Sequence, residues 1–85
     1  MKILIVDDEP AIIGALTPVL SAQGHDVASV ETLHNALTAA GNSEFDLVPL
    51  DLGLPDGDGI EIITKLRELT GANIIVDGGF NAMTI

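Results

Sequence analysis

The sequence predicts an α/β fold of three layers, a parallel four-stranded sheet with helices on its faces. Four apolar runs of strand length, KILIV, DVASV, DLVPL and NIIV, are spread along the chain. Stretches with apolar residues at helical spacing separate them. The resulting order, β-α-β-α-β-α-β, is the alternation that lays helices over a parallel sheet. Right-handed crossovers then restrict the topology.

The first strand, residues 2–6, is a continuous apolar run bounded by acids, the pattern of a strand buried on both faces. Asp8-Glu9-Pro10 then signals a helix start, with acids at the positive helix end and proline in the first turn. Ile12, Ile13, Leu16, Val19 and Leu20 recur at helical spacing up to Gly24. Pro18 interrupts that pattern. It removes the bond to the Gly14 carbonyl and crowds it, so a kink or a shortened helix is expected. Residues 26–30 form the second strand, and 32–40 the second helix, ending at Gly41. Residues 46–50 form the third strand, which ends on Asp51. A glycine-rich acidic loop, 52–58, launches the third helix over 59–69, with Ile62, Ile63, Leu66 and Leu69 inward and Gly71 placed to end it. Residues 73–76 are the fourth strand, stopped by Asp77-Gly78-Gly79, and the tail FNAMTI is too short to classify.

The chain's 85 residues allow one domain, with a small core and marginal stability. Aromatics are only 2 %, so Ile, Leu, Val and Ala must fill that core. The absence of cysteine excludes disulfides, thiol catalysis and cysteine metal sites. Thirteen acids stand against Lys2, Lys65 and Arg67, for a formal net charge of −10. Such a surface repels phosphate backbones, so no direct nucleic-acid binding is expected. Cations or a basic partner suit it better. No run is long enough to span a membrane, and acids follow the first apolar run too soon for a signal peptide. The expected compartment is the cytoplasm. His25 and His34 have no ligand partner at useful spacing and are expected at the surface, as are Lys65, Arg67 and Glu68 on the third helix.

The carboxylates carry the chemistry. Ligand sites of open parallel sheets form at the carboxyl ends of the strands. Asp7 and Asp8 leave the first strand there, and Asp51 leaves the third. If those strands are neighbours, three acids converge, and three carboxylates repel one another unless a cation joins them. Mg²⁺, a hard ion held by a few carboxylates and carbonyls, is the natural candidate. An aspartate beside it can form an acyl phosphate. The plainer reading is that Asp7-Asp8-Glu9 caps a helix and Asp51 opens a turn. The DGDG loop does not satisfy the EF-hand offsets.

These stretches, MKILIVDDEP and DLVPLDLGLPDGDGIEII, resemble the receiver domain of two-component response regulators through about residue 70. The resemblance implies a truncated flavodoxin-like receiver fold with strand order 2-1-3-4, and phosphotransfer from a histidine kinase. By the match, Asp51 is the phosphoacceptor. Asp7, Asp8 and Asp51 hold Mg²⁺, together with the Gly53 carbonyl, while Pro55 and Gly59 shape the loop. The domain is a signalling module rather than an enzyme. The family's hydroxyl residue after the fourth strand falls near Gly78, and its lysine after the fifth strand has no counterpart beyond Lys65. Pro49 stands where the family usually carries an aliphatic residue, and there it costs the third strand a ladder hydrogen bond.

The segment TGANIIVDGGFNAM, residues 70–83, resembles the C-terminal strand region of short-chain dehydrogenases/reductases. It is read either as convergence on a common buried strand or as a foreign strand, natural or engineered, that closes a truncated receiver. That family's catalytic tyrosine and glycine-rich fingerprint are absent. Without a fifth strand, the apolar edge NIIV is expected unpaired, which predicts self-association into a homo-oligomer. The alternative function is a minimal or chimeric scaffold whose acids no longer take part in phosphotransfer.

Overall fold

The computed structural model describes residues 1–51, 59–77 and 82–84. In chain order its elements are β1 (Lys2–Val6), α1 (Pro10–Ala22), β2 (Asp26–Val30), α2 (Leu33–Asn42), β3 (Leu47–Asp51), α3 (Gly59–Thr70), β4 (Asn73–Asp77) and β5 (Ala82–Thr84). The sheet order is β2-β1-β3-β4-β5. Its first four strands are parallel, as expected, and β5 runs antiparallel to β4.

The apolar run of β1 is buried on both faces, with Ile3, Leu4, Ile5 and Val6 all at 1 % exposure or less. Successive side chains of a strand point to opposite faces. Leu4 and Val6 join Val48, Leu50 and Ile74 in one core with Leu33, Ala36, Ile63 and Leu66. The helices α2 and α3 pack on each other over that face. Ile3 and Ile5 turn to the opposite face, where α1 packs against β2. At the open end of β1, the Lys2 ammonium lies 5.4 Å from the centroid of the buried Phe45 ring.

The helix ends follow their local chemistry. At the end of α1, Gly24 takes φ +89°. Its N–H donates to the Ser21 carbonyl at 3.0 Å, and the His25 N–H donates to that of Leu20 at 3.2 Å. This pair of bonds is the Schellman arrangement. Thr32 caps α2, its hydroxyl oxygen accepting from the Asn35 N–H at 3.0 Å. Gly71, at φ +65°, closes α3 as the sequence predicts, and its N–H donates to the Arg67 carbonyl at 2.9 Å.

One expectation is narrowed and three are corrected. The helix α1 runs through Pro18 and reaches Ala22, so it is not shortened there. Both Pro18 and Gly14 are exposed, which leaves water able to serve the Gly14 carbonyl. Leu69 is not inward: it is 49 % exposed, whereas Ile63 and Leu66 are buried. The unclassified tail contains a fifth strand. Only residues 78–81 separate Asp77 from Ala82, too few for the crossover that a parallel strand needs, so the chain turns back antiparallel. That return pairs the β4 edge along Ile75, Val76 and Asp77, which the sequence reading leaves unpaired. Pro49 does sit in β3, opposite Ile75 of β4. The β1–β3 register holds at Ile3–Leu47 and Val6–Leu50 and not at the two positions between, where Pro49 brings no N–H.

Pro18 still carries a cost. Replacing it with alanine restores an N–H inside α1, and a gain of about 2–3 kcal/mol is expected. A urea midpoint that rises with an unchanged slope would confirm it.

Candidate functional site

The carboxyl ends of β1 and β3 lie side by side because these strands are neighbours in the sheet. Asp7 follows the last residue of β1. Its N–H donates to the Val30 carbonyl at 3.1 Å, which carries the β1–β2 pairing one step further. Its Oδ1 accepts from the Glu9 N–H at 2.9 Å, an aspartate turn that swings the chain into α1. Glu9 itself, at the N-cap, makes no side-chain cap bond. Asp7 thus bonds the N–H of the N-cap residue itself rather than one inside α1, so it shapes the turn into the helix and does not cap it. Asp51 is the last residue of β3, in register with Asp77 of β4.

The structure brings the three acids together. One carboxylate oxygen each from Asp7, Asp8 and Asp51 lies within 4.8 Å of the others. Asp7 and Asp51 are half-buried and Asp8 is exposed. Unit charges at such a separation repel by about 1 kcal/mol per pair in bulk water, and by more where water is thinned. A cation between them reverses the sign of the balance. The donor set is all oxygen, which suits a hard divalent ion rather than a soft one. Gly53 and Pro55 lie outside the described residues. His25 is half-buried, with Nδ1 3.1 Å from the N-terminal ammonium, and has no part in this cluster. The ion pair Lys65–Glu61, at 3.5 Å on α3, is exposed as the sequence suggests.

Sequence reasoning finds all three acids and misses the Asp7–Glu9 bond. Its signal is an aspartate two residues before the N-cap, a spacing at which a carboxylate reaches a backbone N–H.

Comparison with known proteins decides the family. The model of the response regulator receiver domain matches residues 3–83. The chain belongs to the response regulator receiver family. The match extends across residues 70–83. Receiver domains are signalling domains. The KDP operon transcriptional regulatory protein KdpE of Escherichia coli (strain K12) is 47 % identical over 75 residues, which are 88 % of this chain and 33 % of KdpE. The receiver chain thus spans about a third of the length of the curated relatives it matches. A response regulator from Burkholderia pseudomallei, solved with a phosphorylated aspartic acid, calcium ion and citrate, superimposes with TM-score 0.81 at 30 % identity, over 88 % of this chain and 45 % of that one. The complex of histidine kinase ThkA with response regulator protein TrrA also matches, with TM-score 0.81 and 32 % identity over 94 % of this chain and 70 % of that one. Among the described residues, no helix is long and apolar enough to cross a membrane.

Proposed function

We propose that the chain is a phosphoacceptor domain of two-component signalling and that Asp51 receives the phosphoryl group. The convergence of Asp7, Asp8 and Asp51 at two adjacent strand ends carries this reading. A carboxylate oxygen of Asp51 attacks the phosphorus of a phosphohistidine on a histidine kinase. The new C–O–P linkage forms as the P–N bond breaks, and the imidazole leaves with the bonding electron pair. Asp7, Asp8 and Asp51 are the residues to hold Mg²⁺, with the Gly53 carbonyl joining them by the family's pattern. When bound, the cation offsets the charge of the phosphoryl group and the carboxylates. Asp7 is pre-set for this by its bond from the Glu9 N–H, which fixes one of its oxygens.

Signalling output is reduced in this reading. Position 78 is glycine where the family carries a hydroxyl. The segment 70–83 serves as the strand pair that closes the sheet, whatever its origin. The compartment is the cytoplasm, where a histidine kinase's phosphohistidine is presented. Nucleic acid is not a direct ligand of a surface with net charge −10.

Incubation with acetyl phosphate and Mg²⁺, followed by intact-mass measurement, tests the reading. One added phosphoryl group is expected, dependent on Mg²⁺ and removed by hydroxylamine as an acyl phosphate is. Mg²⁺ binding with no adduct would favour the alternative, a metal-binding scaffold without phosphotransfer.

A further inference from the structure

A cleft opens between the first turns of α1 and α2, at the end of the edge strand β2. Among the described residues that line it, none belongs to the acid cluster. It encloses about 510 Å³, within the range of small-molecule sites. Pro10, Ile13 and Val30 give it apolar walls. Ile13 belongs, with Thr17 and Leu20, to the half-buried row of α1 that is turned to the sheet. Ser29, Glu31 and Asn35, all exposed, give the polar part of the lining.

Gly14 completes the wall on α1. A glycine inside a helix costs about 1 kcal/mol relative to alanine. Nothing in the chain itself requires it here. Its φ is not positive, unlike that of Gly24 and Gly71. A methyl group at position 14 would meet nothing within 4 Å beyond its own turn of helix. Glycine leaves bare backbone at the cleft, as where a ligand approaches the main chain closely. The Gly14 carbonyl also lacks the donor that a regular helix supplies, because the residue four places on is Pro18. The cleft is thus rich in acceptors: this carbonyl, the Glu31 carboxylate, the Asn35 amide oxygen and the Ser29 hydroxyl.

We infer that this cleft binds a small organic cation of the alkylguanidinium class. Charge selects the sign of the ligand. The two helix starts each bring roughly half a positive charge. Glu9 at the N-cap of α1 and Glu31 before the N-cap of α2 stand at those starts with full negative charges, which outweigh them. No lysine or arginine occurs between Lys2 and Lys65, so the chain supplies no cation of its own to this end of the sheet. Hydrogen bonding selects the head group. A guanidinium carries five N–H donors and no acceptor, which matches a lining of acceptors. The apolar walls select the stem, since an alkyl chain lies along Pro10, Ile13 and Val30 while the charged head stays at Glu31.

Titration of the ¹⁵N-labelled chain with n-butylguanidinium chloride tests this, against sodium chloride at equal ionic strength. Saturable amide shifts are expected at residues 13, 14, 29–31 and 35, with guanidinium chloride, which has no stem, binding more weakly. Glu31→Gln is expected to weaken binding by about tenfold or more, the loss of one charge-assisted hydrogen bond. Gly14→Leu places a side chain in the cleft and should abolish binding, while circular dichroism remains that of the folded chain, since leucine favours a helix over glycine. Glu68→Gln, an exposed charge on α3, should leave binding unchanged. Shifts that sodium chloride reproduces, or that centre on residues 7, 8 and 51, would overturn the inference. So would binding indifferent to both Glu31→Gln and Gly14→Leu, or weakened equally by Glu68→Gln.

Discussion

Asp51→Asn is expected to abolish the beryllofluoride adduct while leaving the chain folded. Beryllofluoride mimics a phosphoryl group by bonding to a carboxylate oxygen, and an amide offers no anionic oxygen for that bond. The substitution is nearly isosteric at a half-buried position, so it opens no cavity. It also removes one of three mutually repelling charges. Without metal, the variant should therefore be as stable as the parent or more so, by up to about 1 kcal/mol. Asp8→Asn supplies the contrast. Asp8 is exposed, and in the proposed site it is to hold the cation rather than form the bond, so its loss is expected to weaken the adduct at low Mg²⁺ and high Mg²⁺ to restore it. Fluorine NMR of the bound fluorides reads both variants. An undiminished signal in Asp51→Asn would place the acceptor elsewhere.

The site and the fold differ in how far the sequence discloses them. Asp7, Asp8 and Asp51 are legible because they follow strands whose apolar runs are unmistakable, and a parallel sheet gathers such ends at one rim. Gly24 and Gly71 are legible for a conformational reason, since both stand at helix ends with positive φ. The inward flank of α1 is not legible. Apolar residues occupy two of its sides, and Thr17, on the row turned to the sheet, is polar; its hydroxyl oxygen is buried with no hydrogen-bond partner. Leu69 misleads for a related reason: periodicity assigns a helix flank but not how far the surface beneath it extends. The strand β5 carries too few residues for a pattern, and its direction comes from the shortness of the 78–81 connection rather than from its own composition.

Leu66→Ala is expected to have the largest effect on stability. Leu66 is fully buried at the centre of the core between α3 and the sheet, among residues from α2, β1, β3 and β4. Truncating it loses the transfer energy of its methyl groups and leaves a cavity, which together cost about 2–5 kcal/mol. Small domains hold roughly 0.05–0.15 kcal/mol per residue. For a chain this short, the loss is a large part of the whole, and the variant should be substantially unfolded at modest urea. Leu69→Ala, three residues along the same helix, removes an exposed side chain and should cost no more than about 0.5 kcal/mol. Equal losses from the two would contradict the burial pattern of α3.

One shared cation pocket at the rim of the sheet is the claim on which the signalling role depends. Titrating the ¹⁵N-labelled chain with substoichiometric Mn²⁺ and following paramagnetic broadening of its amide signals tests it most directly. Broadening centred together on residues 7, 8 and 51, displaced by Mg²⁺ and strongly reduced in Asp51→Asn, is the predicted result. Broadening confined to residues 7 and 8, and unchanged by Asp51→Asn, would contradict it.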